Sequence, residues 1–174
     1  MFINLSEIFT SEGVTLEETY SLTDESVQAS GQTYEAVTKE PIRITAVHAA
    51  PGKAHICGSG VIGFDFTCDR CLTQVPYKMA LSFETDAYAP DAVPEDADPD
   101  EQLFMEGCRL NVKTLIDSEI MMRWPTKVLC RPDCKGICPK CGKNLNAGSC
   151  ECDSFVPDPR MAAIKDIFYA NKEV

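Results

Sequence analysis

No run of apolar residues in this chain approaches the ~20 needed to cross a bilayer as a helix. The opening, MFINLSEIFTSEG, lacks the basic n-region of a secretory signal, and its first charge is Glu7. Histidine is scarce: His48 and His55 are the only two, and they flank the turn APGK at Ala50–Lys53. That is a poor supply for a catalytic zinc, which keeps an open position and usually draws on His or carboxylate ligands. No P-loop, G-x-S-x-G or H-E-x-x-H motif occurs, and there is no internal repeat. The one tryptophan, Trp124, borders a helix end and reads as core, so exposed aromatics offer no platform on which bases stack. Positive charge is also short, with 16 Lys and Arg against 27 Asp and Glu, a net −11. A chain so charged does not as a whole grip nucleic acid by neutralising phosphates. These absences predict a cytoplasmic protein that is not an enzyme and does not enter a membrane.

What is present is an ordinary globular composition, 44% apolar and 25% charged over 174 residues, enough for one domain and an appendage. The first forty residues suggest short strands or one short helix. From Pro41 the periodicity sharpens: Ile42, Ile44 and Ala46 alternate with Arg43, Thr45 and Val47. A second strand spans about 54–67, with Ile56, Ile62, Phe64 and Phe66 on one face, and Gly58, Gly60 and Gly63 suggesting a bulge or bend. A third carries Val75, Tyr77, Met79, Leu81 and Phe83 inward, with Lys78, Ser82 and Glu84 outward. The three strands predict an antiparallel meander. PDAVPEDADPDE (90–101) has three prolines, six acids and no base, and reads as an exposed loop. LFMEGCRL suggests one more strand. A helix follows over about 111–123, with Asn111 as N-cap, Val112, Leu115, Ile116 and Ile120 as its buried stripe, and Pro125 as its stop. Near the C-terminus, Asp158 and Pro159 open a short helix carrying Met161, Ile164 and Phe168 on one side. The predicted class is α+β: an antiparallel sheet or partly open barrel with one packed amphipathic helix, a zinc-ribbon-like cysteine module and a terminal helix. The expected division is a mainly β domain over 1–125 and a zinc-binding module with its helix over 126–174.

Cysteine is where the sequence is rich, with six of its ten thiols inside LCRPDCKGICPKCGKNLNAGSCEC, Leu129–Cys152. Eight pair off as Cys68–Cys71, Cys130–Cys134, Cys138–Cys141 and Cys150–Cys152, while Cys57 and Cys108 read as small buried hydrophobes. CPKCG at 138–142 has the form of a zinc knuckle, with Gly142 free to leave at positive φ. Cys150 and Cys152, two apart in extended chain, project to one side. The link GKNLNAGS is long enough to return them over the knuckle, so Cys138, Cys141, Cys150 and Cys152 make one tetrahedral site. Cys68 and Cys71 sit at a strand turn and need Cys130 and Cys134 to complete a second, which would clamp the module to the sheet. The alternative is a single ion held by Cys130, Cys134, Cys138 and Cys141. Disulfides need an oxidising compartment. A thioredoxin-type pair would open a helix, whereas strands flank Cys68 and Cys71. The spacings also miss the C-x2-C-x2-C-x3-C-P run of ferredoxins. Structural Zn2+, two ions or one, is the expected cofactor.

Charge divides unevenly as well. From Arg123 to Cys152 there are six bases (Arg123, Lys127, Arg131, Lys135, Lys140 and Lys143) against Asp133 and Glu151, a balance of +4 that leaves −15 elsewhere. Arg131, Lys135, Lys140 and Lys143 are the candidate contacts to RNA or a partner, and solubilising lysines are the plain alternative. A four-thiolate zinc centre carries about −2, which reduces the positive excess.

The string L-C-R-P-D-C-K-G-I-C-P-K-C-G-x-N-L-N, then C-x-C and D-P-R before a helix, resembles the C-terminal end of the YceD family, proteins named for large ribosomal RNA subunit accumulation. C-D-R-C-L at Cys68–Leu72 is similar to that family's central motif. The resemblance covers roughly Ile62 to the C-terminus. It implies a factor supporting large-subunit ribosomal RNA processing or accumulation and ribosome assembly. The expected partners are a basic ribosomal protein or assembly factor attracted by the acidic body, with weak contact to large-subunit rRNA. A structural adaptor that does not touch RNA, and a small metal-dependent nuclease, are the competing readings.

Overall fold

A computed structural model of the chain describes residues 1–21, 26–29, 31–37, 40–95 and 102–152. The element order is β1 (Phe2–Asn4), α1 (Ser6–Thr10), β2 (Thr15–Tyr20), β3 (Ser26–Ala29), β4 (Gln32–Glu35), β5 (Ile42–Ala50), β6 (Lys53–Thr67), β7 (Gln74–Tyr88), β8 (Met105–Glu106), β9 (Arg109–Asn111) and α2 (Val112–Met122). The strands form a four-stranded sheet in the order β2-β5-β6-β7, a three-stranded sheet β1-β9-β8, and the hairpin β3-β4. Every pairing with a described register is antiparallel. The chain is mainly antiparallel sheet with few helices, and none of these sheets closes into a barrel among the described residues. Two compact units result. One comprises Met1–Phe66 and Gln74–Val128; the other comprises Thr67–Thr73 and the chain from Leu129 onward. The expected boundary at 125/126 therefore falls at Val128/Leu129, and the turn between β6 and β7 counts with the cysteine unit.

The meander β5-β6-β7 exists because each strand alternates. Ile42, Ile44 and Ala46 are buried on β5; Ala54, Ile56, Ile62, Phe64 and Phe66 on β6; Met79, Leu81, Phe83 and Ala87 on β7. Burying such a side chain removes apolar surface worth about 1.5–3 kcal/mol for a Leu, Ile or Phe. β2, which the sequence left among indefinite short strands, pairs with β5 from Thr15↔Val47 to Tyr20↔Ile42.

Two of the glycines of β6 permit close approaches. Pairing with β5 is regular from Ala54 to Ser59, and the register irregularity lies instead at His48/Ala50, beside the turn. Even-numbered positions other than half-buried Gly60 are buried from Ala54 to Phe66, and Gly63 is buried with them. A Cβ on Gly58 would lie 2.1 Å from Cζ of Phe83, and one on Gly60 would lie 3.0 Å from Cγ1 of Ile42. These glycines make room for a ring and a backbone.

α2 begins where expected. The side-chain oxygen of Asn111 accepts the backbone N–H of Thr114 at 3.3 Å, and Val112, Leu115, Ile116 and Ile120 are buried. The stripe also contains Glu119, only 6% exposed, which the pattern did not anticipate. Its charge is met by Arg123, whose guanidinium bonds the Glu119 carboxylate and also donates to the Ser82 carbonyl at 2.7 Å. Trp124 packs against the core as expected, with its ring centroid 4.8, 5.3 and 5.1 Å from those of Tyr34, Phe64 and Phe66.

Other expectations are corrected. LFMEGCRL folds as the two strands of a tight hairpin, β8 and β9, with Gly107 at φ +63° in the turn. Cys57 and Cys108 are half-buried, not buried. Burial still pushes the Cys57 thiol up, with Glu84 adding to it. Residues 90–95 of the acidic segment are without helix or strand; the rest of it, and the predicted helix from Asp158, lie outside the described residues. No described helix is long and apolar enough to cross a membrane. His48 Nδ1 lies 2.7 Å from the Ile8 carbonyl, and His55 Nδ1 lies 2.8 Å from Asp86 Oδ1.

Candidate metal centres

The turn between β6 and β7 and the knuckle of the ribbon share one backbone scheme. At the first, the Cys68 N–H donates to the Thr73 carbonyl at 2.8 Å and the Leu72 N–H to the Cys68 carbonyl at 3.0 Å. At the second, the Cys138 N–H donates to the Lys143 carbonyl and the Gly142 N–H to the Cys138 carbonyl, both at 2.9 Å. Leu72 and Gly142 occupy matching positions at φ 59° and 71°. A left-handed glycine in C-P-K-C-G is legible in sequence; a left-handed leucine in C-D-R-C-L is not. In both turns the tight reversal aims two thiols at one point.

The partners arrive from elsewhere in the same unit. Cys130 and Cys134 bring their thiols to Cys68 and Cys71, with Cys68 Sγ 3.8 Å from Cys134 Sγ and Cys71 Sγ 3.5 Å from Cys130 Sγ. Cys150 and Cys152 join Cys138 and Cys141, and within each group of four the sulfurs all lie within 4.8 Å of one another. The single mixed set of Cys130, Cys134, Cys138 and Cys141 is not the grouping found: those cysteines fall into different tetrads. The Cys68–Cys71 turn belongs to the cysteine unit, so the first tetrad is internal to that unit.

The donor sets fit a divalent, thiophilic ion. Four sulfurs about 2.3 Å from a tetrahedral zinc stand about 3.8 Å apart, close to the first tetrad's 3.5 and 3.8 Å. Proton affinities within each group are split. Burial pushes the Cys68 thiol up, but the N–H groups of Cys130, Arg70 and Cys71 more than offset it and hold the thiol at about 6. Cys130 is pushed up to about 12, first by Cys71 and then by burial. In the other tetrad the N–H groups of Cys141 and Lys140 lower Cys138 to about 6, while Cys141, then burial, pushes Cys152 up to about 12. Four crowded thiols cannot all ionise against one another; a central dication removes that repulsion.

Hydrogen bonds around the sulfurs come from residues that spacing did not single out. Thr73 Oγ1 lies 2.6 Å from Cys71 Sγ, and this hydroxyl and the Thr73 N–H lower the thiol. Asn146 Nδ2 donates to Cys134 Sγ at 3.3 Å, and Arg70 Nη1 donates to the Cys134 carbonyl at 2.8 Å. The candidate contact residues divide. Arg131 Nη2 donates to Asn146 Oδ1 at 2.8 Å and Lys143 Nζ to the Ser149 carbonyl at 2.7 Å, so both heads serve the module's own loop. All four residues are exposed.

Two sets of four thiols that could each hold a metal ion make the cysteine unit compatible with a zinc-ribbon-like module, in a protein that is otherwise mainly antiparallel sheet. The family model described as "Large ribosomal RNA subunit accumulation protein YceD" matches residues 62–168, more than half of the chain. The chain belongs to the YceD family. It is 32% identical over 79 residues to the uncharacterized protein Rv2926c of Mycobacterium tuberculosis, and equally to Mb2951c of Mycobacterium bovis, covering 45% of this chain. That similarity spans 38% of each mycobacterial protein's length. The uncharacterized protein YlbN of Bacillus subtilis is 28% identical over 131 residues, 70% of this chain and 74% of its own. No solved structure matches the chain.

Proposed function

We propose that this protein is a non-enzymatic, zinc-stabilised factor in the cytoplasm that supports accumulation of large-subunit ribosomal RNA and ribosome assembly. The family supplies the ribosomal role. The observation that carries the mechanism is closure: each tetrad offers four thiols and no His or carboxylate. A four-thiolate zinc has no open position for substrate or water, which suits a structural ion and not a nuclease centre. Cys68, Cys71, Cys130 and Cys134 hold one ion and Cys138, Cys141, Cys150 and Cys152 the other; each ion supplies cross-linking in place of an apolar core.

Charge favours a protein as the main partner. In the cysteine unit's described residues, five bases (Arg70, Arg131, Lys135, Lys140 and Lys143) stand against Asp69, Asp133 and Glu151. Two zinc centres at about −2 each turn that small excess negative. Lys135 and Lys140 can therefore touch RNA locally but cannot supply tight autonomous binding. The acidic chain attracts a basic ribosomal protein or assembly factor, with an association that weakens as salt screens it. The adaptor reading, without RNA contact, gains support from the internal bonds of Arg131 and Lys143.

The test is capture of the tagged protein from its own cells with and without nuclease, beside elemental analysis of the pure protein. A basic large-subunit protein or assembly factor retained after nuclease, with two zinc ions per chain, is expected. Tight binding of naked ribosomal RNA at physiological salt overturns the partner assignment, and a brown, iron-containing protein overturns the metal.

A further inference from the structure

We propose that Asn146 couples the two cysteine tetrads, so that an ion bound in either one raises the affinity of the other. This rests on the two-ion reading above and adds a relation between the sites. Asn146 lies in the loop between Cys141 and Cys150, both members of the second tetrad, yet its amide reaches Cys134, a member of the first. Nδ2 donates to Cys134 Sγ at 3.3 Å and to Asn144 Oδ1 at 2.9 Å. Oδ1 accepts the Lys135 N–H and Arg131 Nη2, both at 2.8 Å.

Two donors and two acceptor sites make up the whole capacity of a carboxamide, and here all are used. The reversed amide would set its oxygen against a thiolate and its NH2 against two donors, so the network admits one orientation. The loop's shape is fixed locally by Asn144, whose side chain accepts the Asn146 N–H at 2.9 Å, and by the Ala147 N–H on the Asn144 carbonyl at 3.1 Å. Hydrogen bonds already tie its ends, the Cys138 N–H to the Lys143 carbonyl and Lys143 Nζ to the Ser149 carbonyl, and an ion that holds Cys141 and Cys150 together tightens that hold. An ion in the second tetrad therefore aims Nδ2 at Cys134, and the N–H···S bond steadies that thiolate as a ligand. Only Lys135, Gly136 and Ile137 separate Cys134 from Cys138. The link is clamped by the Ile137 N–H on the Arg70 carbonyl at 3.1 Å and the Leu145 N–H on the Gly136 carbonyl at 2.9 Å. Gly136 itself is at φ +80°, and a Cβ there would lie 3.0 Å from the Arg70 carbonyl oxygen. Coupling of this kind is reciprocal.

The experiment measures zinc affinity of the first tetrad in full-length wild type, Asn146→Ala, Cys141→Ser and the double variant, by competition with a chromophoric chelator. Cys141→Ser disables the second tetrad alone. Loss of an outer-shell bond typically weakens metal binding by about 10- to 100-fold. That loss is expected for Asn146→Ala in the wild-type background and for Cys141→Ser, with the double variant little worse than either. Asn146→Asp, which keeps size and acceptors but places a carboxylate beside the thiolate, should bind more weakly still. In cobalt-loaded protein the thiolate charge-transfer band should move with Asn146→Ala, while Trp124 fluorescence, reporting the sheet unit, stays put. Unchanged affinity in Asn146→Ala overturns the proposal. So does an equal loss with and without an intact second tetrad, which would make Asn146 a local prop. A wild-type chain that takes up one zinc ion overturns the two-ion reading itself, and the coupling with it.

Discussion

The sheet unit and the cysteine unit solve the same folding problem by different means. The sheet unit buries an apolar cluster that runs from Ile3 and Leu5 through Phe64 and Ile120 to Val128. None of that cluster comes from Thr67–Thr73 or from the described residues after Leu129. Among the described residues, the buried side chains of the cysteine unit are instead Cys68, Cys71, Cys134 and Cys138. Units this small cannot gain enough from apolar burial to offset chain entropy, and covalent or metal staples take its place. With the proposed ions confined to the cysteine unit, stability and metal content should be separable by region.

Removing the metal should break the comparison open, and has the largest expected effect. Binding energies of structural zinc run to about 10–16 kcal/mol and double as folding energy. A chelator should abolish amide-exchange protection at 68–73 and 130–152 while leaving β5, β6 up to Phe66, and β7 protected. Uniform loss across both regions would mean that the sheet unit depends on the ions too.

Next comes a change confined to the sheet unit. Gly58→Ala pushes a Cβ into the Phe83 ring, where three ring atoms would stand at 2.1–2.7 Å. Overpacking of this kind costs about 1–3 kcal/mol, visible as a lower denaturation midpoint with zinc content intact. Adding Phe83→Leu should recover part of it. No recovery would place the strain in the β6 backbone and not against the ring.

Glu119→Ala tests the buried polar member of α2 and should cost roughly 1–3 kcal/mol, because it strips Arg123 of its carboxylate. Arg123 keeps its bond to the Ser82 carbonyl, so the loss should be smaller in Glu119→Gln, which retains an acceptor. Equal losses in the two variants would show that packing, not the ion pair, holds this position.

The parts legible in sequence were those encoded locally. Alternation specified β5, β6 and β7; Asn111 with its apolar stripe specified α2; paired spacings drew eight cysteines out of ten. What escaped depends on partners distant in sequence. Glu119 looks like a solvent residue until Arg123, which also bonds the Ser82 carbonyl, is known to meet it. Gly58 reads as a bend until Phe83 lies opposite. Asn146 looks like a turn former, and its amide contacts Cys134 only in the folded unit. Charge in sequence does not show that Lys143 bonds the Ser149 carbonyl while remaining exposed, as Lys140 is.

The smallest expected effect sharpens the comparison within the cysteine unit, at its two knuckles. Gly142 and Leu72 hold matching left-handed positions, but an L side chain pays about 1–2 kcal/mol there. A Cβ on Gly142 would meet nothing within 4 Å, so Gly142→Ala measures the conformational cost alone, about 1 kcal/mol. Leu72→Gly relieves that strain while freeing the unfolded chain, and the two terms nearly cancel. Thermal scans with zinc present should therefore show Gly142→Ala lowered and Leu72→Gly almost unmoved. Leu72 is 64% exposed, so its side chain adds little to the fold that carries it. If Leu72→Gly keeps both ions and the same midpoint yet lowers large-subunit ribosomal RNA in cells, the leucine is held in its strained position for a contact outside the chain. Unaltered RNA levels would make it a tolerated substitute for glycine and leave the two knuckles equivalent.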